Sequence, residues 1–391
     1  MRKDLEHFDA AIVGAGPAGC RLAWRLARAG VRVAVFDGSH PREKPCGGGV
    51  TERALDLVRD AIDTSDIQAV AISDITFEDR TRRAHVSLAG RRGVTPQLAV
   101  APRAVFDGAL LGAAVNAGAT LRAERVRDLS QRPHGWRIST ARGSTDVAWV
   151  FGADGPSSLV RRRVGRPFDR ADLSVAAGFF VHGVASRTVA IGFEEDPPGY
   201  LWSFPRPNHL AVGVCAQADA ARPSTLLATA SAWIARHISA PCTRQRYSWP
   251  IPSLRWATLD RERPAGSRWM LLGDAGGMVD PITREGIFFA LLSAEAAADS
   301  FLDDRDPAER YVQQVRSIVY DELMRAALLK SRFFHPRFIA LLLRALMQSA
   351  RIRAIMTDLV AGHQSYRGLR GRLLGTLQFG LLVEMLQQGR R

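Results

Sequence analysis

Three glycines spaced Gly14-x-Gly16-x-x-Gly19 close a short apolar run beginning at Asp9, and the chemistry this spacing supports is the holding of a pyrophosphate. Gly14 permits a tight turn, Gly16 lets backbone approach phosphate, and Gly19 lets a helix pack closely on the preceding strand. The elements that must position them follow in order. Arg21 to Ala29 has helical spacing, Gly30 supplies a stop, and Val31 to Phe36 reads as a second strand ending at Asp37. This is a complete β-α-β unit with an acid 18 residues beyond the last glycine. The helix start would offer unpaired N–H groups and a positive dipole end to the pyrophosphate, while Asp37 would accept hydrogen bonds from ribose hydroxyls.

NAD and FAD share this unit, so the choice between them comes from further along the chain. Trp269 to Leu272 reads as a strand delivering Gly273-Asp274 into glycine-rich turns, followed by Asp280-Pro281 and Thr283-Arg284-Glu285-Gly286-Ile287. An acid there suits the ribityl chain of a flavin. The helix predicted from Phe288 to Asp299 would aim its N-terminus at the isoalloxazine, where positive potential favours the anionic reduced ring. Between the two motifs lies a short strand, Val147 to Val150, leading to Phe151-Gly-Ala-Asp154-Gly155-Pro-Ser157-Ser158. The cofactor expected is FAD.

Three motifs in this order resemble the glutathione-reductase-type flavoproteins of the aromatic-hydroxylase fold, and within them the chain resembles the geranylgeranyl reductase family. Lys44-Pro-Cys46-Gly47-Gly48-Gly49-Val50 and Pro197-Pro-Gly-Tyr200-Leu-Trp202-Ser-Phe204-Pro205, leading to Val212-Gly213, carry the closer match. The segment Asp358 to Arg370 is also similar to that family's tail, so the resemblance spans nearly the whole chain. It implies that backbone around Ala18 and Asp37 contacts the adenosine and pyrophosphate. Cys46, Gly47 and Gly49 would lie on a loop beside the flavin, with Cys46 the residue proposed for catalysis. Arg103 would contact FAD, with Val126 nearby on a strand edge, and Asp274, Gly286 and Ile287 would make the later flavin contacts. Tyr200, Trp202 and Phe204 would face the substrate. The chain departs from the pattern at Arg284, where archaeal lipid reductases usually carry glycine. Arg284 would either meet an anionic substrate group or point into solvent, and the reading leans to solvent.

The residues themselves leave alternatives open. Cys46 among three glycines suits an accessible lid better than a buried packing residue. Tyr200, Trp202 and Phe204 alternate with period two, so they share one face of a strand; a core face and a pocket lining look alike in sequence, and only the resemblance tips the balance. The remaining cysteines, Cys20, Cys215 and Cys242, read as structural, and His209 and His363 receive no role.

A chain of 391 residues that is 47% hydrophobic can build two or three domains. The expected fold is α/β: a discontinuous Rossmann-like FAD domain (1–60, 100–170, 256–305) with an inserted β-rich substrate domain (61–99, 171–255). Thr76 to Val86 and Phe179 to Phe193 show the strand-like alternation of that second domain. Residues 306–391 would be helices over the pocket, with Pro336 in a first helical turn. The four cysteines form no C-x-x-C pair, so no metal site and no disulfide framework is expected. The N-terminus lacks a signal-peptide layout and no apolar run is long enough to span a membrane, which points to the cytoplasm.

The net charge of +14 comes almost wholly from arginine, and no nucleic-acid-binding motif accompanies it, so nucleic acid is not an expected partner. From Arg325 onward twelve basic residues face two acids, Asp358 and Glu384. Arg337, Arg344 and Arg351 recur every seven residues beside an apolar face, which fits either a helix resting on anionic lipid or one packed on its own protein.

The leading expectation is reduction of C=C bonds in a prenyl chain by hydride from reduced flavin, with NAD(P)H or ferredoxin as a transient electron donor. The runner-up is a flavin monooxygenase acting on a hydrophobic substrate. Halogenation is disfavoured because no lysine occurs between Lys44 and Lys330. A third reading, of another class, is a non-catalytic flavin electron carrier at a membrane.

Overall fold

The computed structural model describes residues 7–88, 98–303 and 305–376. The start of the chain (1–6) and the end of the basic region, with Glu384, Arg390 and Arg391, lie outside the described residues.

The β-α-β unit folds where its glycines and apolar runs place it: strand Phe8–Val13, helix Pro17–Arg28, strand Val33–Phe36. The two strands pair in parallel, Ala10 opposite Val33 and Val13 opposite Phe36. Parallel pairing continues outward to Thr120–Arg122 on one side, and to Ser144–Gly152 and Trp269–Leu271 on the other. All four residues of Val33–Phe36 are buried, as strands covered on both faces require. Three helices, Pro17–Arg28, Arg103–Asn116 and Ile287–Leu302, pack against this sheet through Leu22, Leu26, Phe106, Leu110, Phe289 and Leu291.

A second, seven-stranded sheet takes its strands from 74–87 and 173–252. Helix Pro223–His237 covers one of its faces through Leu226, Ala230 and Trp233. The other face carries Trp202, Phe180, Cys215 and Tyr247. Each of the two long alternating runs read as strand is in fact two strands and a turn: Asp74–Glu78 turns back into Arg83–Ser87, and Leu173–His182 is followed by Thr188–Glu195. Gly183 with φ +87 marks the second break, and Asp79 closes the first by accepting from the Thr81 and Arg82 N–H groups. A three-stranded sheet, Gly49–Thr51, Leu98–Val100 and Val70–Ala71, draws from both sides of the expected boundaries at 60/61 and 99/100 and stitches the two layers together.

The C-terminal helices start with Pro307–Val315 and end with Tyr366–Leu374. Pro336 opens its helix, Pro336–Gln348, from the first turn, with His335 as cap. That helix stops before Ser349, which caps a new one, Ala350–Val360; Arg351 therefore lies on a different helix from Arg337 and Arg344. The apolar side, Phe338, Leu342, Leu343 and Leu346, is buried against the second sheet and its neighbouring helices. All three arginines are exposed. Among the described residues no helix is long and apolar enough to cross a membrane.

One close approach explains a spacing in the sequence. Trp202 and Gly213 are cross-strand partners, and the indole lies over the glycine: a Cβ at Gly213 would sit 2.4 Å from Trp202 Cζ2 and 2.6 Å from the Tyr247 hydroxyl. Gly213→Ala is therefore expected to overpack this face and destabilise the protein by about 1–3 kcal/mol, seen as a lower urea midpoint at unchanged slope.

Candidate active site

A cavity of about 290 Å³ opens between the parallel sheet, the aromatic face of the second sheet and the C-terminal helices. At one end lie Gly16, Pro17 and Ala18, the start of the first helix. That helix has no capping side chain and no acid in its first turn, so its N–H groups face the cavity bare. Gly14, at φ +103, cannot be replaced without strain, and a Cβ there would lie 2.3 Å from the Ala153 carbonyl oxygen. A Cβ at Gly19 would come within 1.9 Å of the Gly14 oxygen. In front of Gly16 there is open space, with Lys44 Nζ at 4.0 Å from where a Cβ would be. A bare helix start with an adjacent cation is a cradle for a pyrophosphate.

Asp37 stands at the end of its strand as expected, but behind the cavity wall. Its carboxylate accepts from the Ala15 N–H (2.9 Å), the Ser39 N–H (2.8 Å) and His40 Nδ1 (2.7 Å), which ties the glycine loop to the second strand. Burial works against its charge; His40 and the backbone donors outweigh that and hold it well below the usual carboxylate range. His40 in turn reaches toward Asp107, which takes both arms of Arg103 at 2.9 and 2.8 Å. Burial opposes the Asp107 charge as well, yet Arg103 and His40 keep it ionised. Arg103 thus lines the cavity already oriented by a carboxylate.

The second helix start lies across the same cavity. Ile287–Leu302 begins at Gly286 without a capping side chain or a first-turn acid. Asp274 is beside it, its Oδ1 3.4 Å from where a Gly286 Cβ would be. Burial raises the Asp274 carboxyl, with Lys44 and Arg103 opposing. Burial and the Arg103 charge likewise pull Lys44 down from its ordinary value. A buried acid with room in front of it suits neutral hydroxyls such as those of a ribityl chain. Bare helix starts at two ends, with the acid and cations between, fit FAD.

The loop Lys44 to Gly49 forms the next wall. Cys46 lines the cavity, its sulfur accepting from the Gly48 N–H at 3.3 Å and facing the Arg103 guanidinium. Gly47 and Gly49 rest against the Phe204 ring. Arg206, 1% exposed, donates to the Cys46 carbonyl at 2.6 Å and pairs with Glu43. Tyr200, Trp202 and Phe204 all line the cavity, and the Tyr200 hydroxyl donates to the Thr283 carbonyl at 2.8 Å. The far wall is Phe333, Met356 and Leu359 of the C-terminal helices. A smaller apolar cavity of about 60 Å³ among those helices shares these three residues and Ile282.

Of the residues expected at the site, Gly16, Ala18, Cys46, Gly47, Gly49, Arg103, Asp274, Gly286, Ile287, Tyr200, Trp202 and Phe204 line the cavity. Gly14, Gly19 and Asp37 shape it from behind. Val126 differs from expectation: it sits in the link between Thr120–Arg122 and Asp128–Arg132, off any strand, buried among Phe8, Phe36 and Leu129. Arg284 differs too. It does not point into solvent but lines the cavity, donating to Ser253 Oγ at 2.7 Å. Asp154 caps helix Leu159–Val164, accepting from the Leu159 N–H at 2.6 Å. Sequence reasoning assigned no role to Lys44, Arg206, Ser253 or Lys330. Lys44 opens one motif that was read and Arg206 follows directly on another, and that position was their only signal.

This cradle is that of an FAD-dependent oxidoreductase. The chain belongs to the FAD binding domain family, which matches residues 7–246, and within it to the geranylgeranyl reductase family. It is similar to menaquinone reductase of Mycobacterium tuberculosis, 30% identical over 348 residues and 78% of each chain. It is also similar to geranylgeranyl diphosphate reductase of Rhodobacter capsulatus, 28% identical over 77% of this chain and 78% of the relative. In fold it resembles a geranylgeranyl bacteriochlorophyll reductase-like protein of Thermoplasma acidophilum, with a TM-score of 0.78, 20% identity, and 95% and 100% of the two chains covered. A flavin-dependent brominase shares the fold at a TM-score of 0.72 and 19% identity.

Gly14→Ala forces an L-residue into the left-handed region and against Ala153, so FAD affinity is expected to fall about tenfold or more, read by the flavin fluorescence released on dilution.

Proposed function

We propose that this protein reduces C=C bonds of a prenyl chain. The observation that carries the reading is the pair of adjoining apolar cavities, which run from Trp202 and Phe204 past Phe333 and Met356 into the C-terminal helices. Two adjoining apolar cavities that share Ile282, Phe333, Met356 and Leu359 suit an apolar chain that passes from one to the other. Relatives named for menaquinone and for geranylgeranyl diphosphate support it, and both of those substrates bear prenyl chains.

When bound and reduced, FAD would supply the hydride for one carbon of the double bond. The chain's own residues do the rest. An isolated double bond is unpolarised, so a proton must arrive at the other carbon, and Cys46 Sγ holds it within the cavity wall. The Arg103 guanidinium facing that sulfur compensates the charge left behind. The faces of Tyr200, Trp202 and Phe204 stabilise positive charge on the reacting carbon and keep water out. Arg206 and Glu43 fix the loop that carries the cysteine. Electrons reach the site from NAD(P)H or a ferredoxin that visits transiently, and the exposed Arg337, Arg344 and Arg351 provide a surface for anionic lipid.

Reduced holoenzyme incubated without oxygen with a geranylgeranyl lipid is expected to yield a product gaining two hydrogens per bond in mass spectrometry. Absence of that product, or a product carrying added oxygen and formed only in air, overturns the reading in favour of an electron carrier or a monooxygenase. Cys46→Ala is expected to lower kcat by about a hundredfold while the flavin is still reduced by dithionite.

A further inference from the structure

Arg284 stands in a backbone conformation that favours glycine, at φ +62. An arginine held there is strained, and such strain persists where the surroundings enforce it. What surrounds it is a cluster of donors with no carboxylate bonded to them. Arg284 donates to Ser253 Oγ at 2.7 Å and to the Pro281 carbonyl, and its Nε is buried with no hydrogen-bond partner. Lys330 Nζ donates to the same Ser253 Oγ at 2.7 Å and to Gln217. Among the described residues every hydrogen bond of these two cations goes to a neutral partner.

Two positive groups sharing one hydroxyl repel each other. Burial and the Arg284 charge pull Lys330 down to about 7. The chain nevertheless has many carboxylates, and other buried arginines pair with them, as Arg103 does with Asp107 and Arg161 with Glu262. Here no carboxylate bonds either cation, Asp219 and Asp172 acting on Lys330 only through their charge at longer range, and Arg284 lines the cavity between Thr283 and the start of helix Ile287–Leu302.

We infer that Arg284, backed by Lys330 through Ser253, is the receptor for an anionic head group, phosphate or carboxylate, on the substrate whose apolar tail occupies the cavity. The tail is taken from the prenyl-reductase reading; the anion site is read from these residues alone. The head would be held beside the Gly286 end of the cavity, with the tail leading away toward Phe333 and Met356.

The test uses holoenzyme, so that FAD fills its own pyrophosphate cradle. Inorganic diphosphate is titrated while the flavin absorbance is followed. Initial rates are then measured with geranylgeranyl diphosphate and with geranylgeraniol. The KM for the diphosphate is expected to lie about tenfold or more below that for the alcohol, and Arg284→Gly to bring the two together, with Arg284→Lys keeping part of the preference. Arg284→Gly relieves the positive φ, so its thermal midpoint should not fall, which separates lost binding from lost folding; Lys330→Met, checked by flavin content, is expected to act in the same direction. Equal KM values in the unsubstituted protein, or a preference that Arg284→Gly leaves intact, overturn the inference while leaving the reductase reading in place. If neither chain is reduced, the reductase reading fails, and the titration alone decides the anion site. Diphosphate binding weakened about tenfold by Arg284→Gly supports it, and equal binding overturns it.

Discussion

Two helices begin bare at one cavity, and most of the site follows from that. A helix N-terminus leaves N–H groups without intrahelical partners, and capping side chains or first-turn acids ordinarily meet them. Neither Pro17–Arg28 nor Ile287–Leu302 has such a cap or acid. Their positive ends are therefore left for a ligand carrying negative charge at two places. The parallel sheet is the device that aims them: Phe8–Val13 delivers the first helix, Trp269–Leu271 leads to the second, and Ser144–Gly152 lies between. The close approach of Gly19 to Gly14 fixes the first helix on its strand, and Gly273, whose N–H donates to Ser293 Oγ at 3.0 Å, ties the second to its own.

Charge around the cavity is organised in two contrasting ways. On the side of the first helix, buried charges alternate in sign along a chain, Asp37 to His40 to Asp107 to Arg103, hydrogen-bonded at both ends and with His40 Nε2 3.5 Å from Asp107 between them. Such a chain spends no charge on the ligand except at its last member, Arg103, and it fixes that member's direction. On the side of the second sheet the arrangement is open: Arg284 and Lys330 lean on one neutral hydroxyl. A closed network rigidifies a wall, whereas an open cluster retains affinity for something from outside. Arg206 belongs to the first kind although it sits on the second sheet. Its two terminal nitrogens are taken by Glu43 and the Cys46 carbonyl, and so it sets where the cysteine loop stands.

The part of this that could be read in the sequence is the part written in glycines and in alternation. Gly14, Gly16 and Gly19 announce a backbone constraint that few other residues satisfy, and the two parallel strands are short buried runs bounded by turns. The aromatic strand was legible as a face, but whether that face met core or cavity was not, because period two encodes only a side. The structure shows both at once: Trp202 is nearly fully buried and still lines the cavity. Where a strand run contained a turn, as between Glu78 and Arg83, alternation continued through it and hid it. The seven-residue arginine repeat misled for a related reason. Periodicity survives a helix break when the two helices keep similar exposed faces, and Ser349 caps a new helix without disturbing the spacing. Arg206 and Lys330 were out of reach, since their partners, Glu43 and Ser253, lie 163 and 77 residues away.

Arg284 shows why a departure from a family pattern carries more information than agreement with it. The glycine usual at that place needs no explanation beyond its backbone. Replacing it keeps the left-handed turn, with the Arg284 N–H still bonded to the Asp280 carbonyl at 3.0 Å, and adds a cation to a wall that otherwise offers aromatic rings and an aliphatic far end. Strain and a charge bonded to no carboxylate both count against the folded state. A substitution that incurs both, in a position where it touches the cavity, cannot be accounted for by stability. The remaining account is that the cavity's ligand supplies what the protein lacks there.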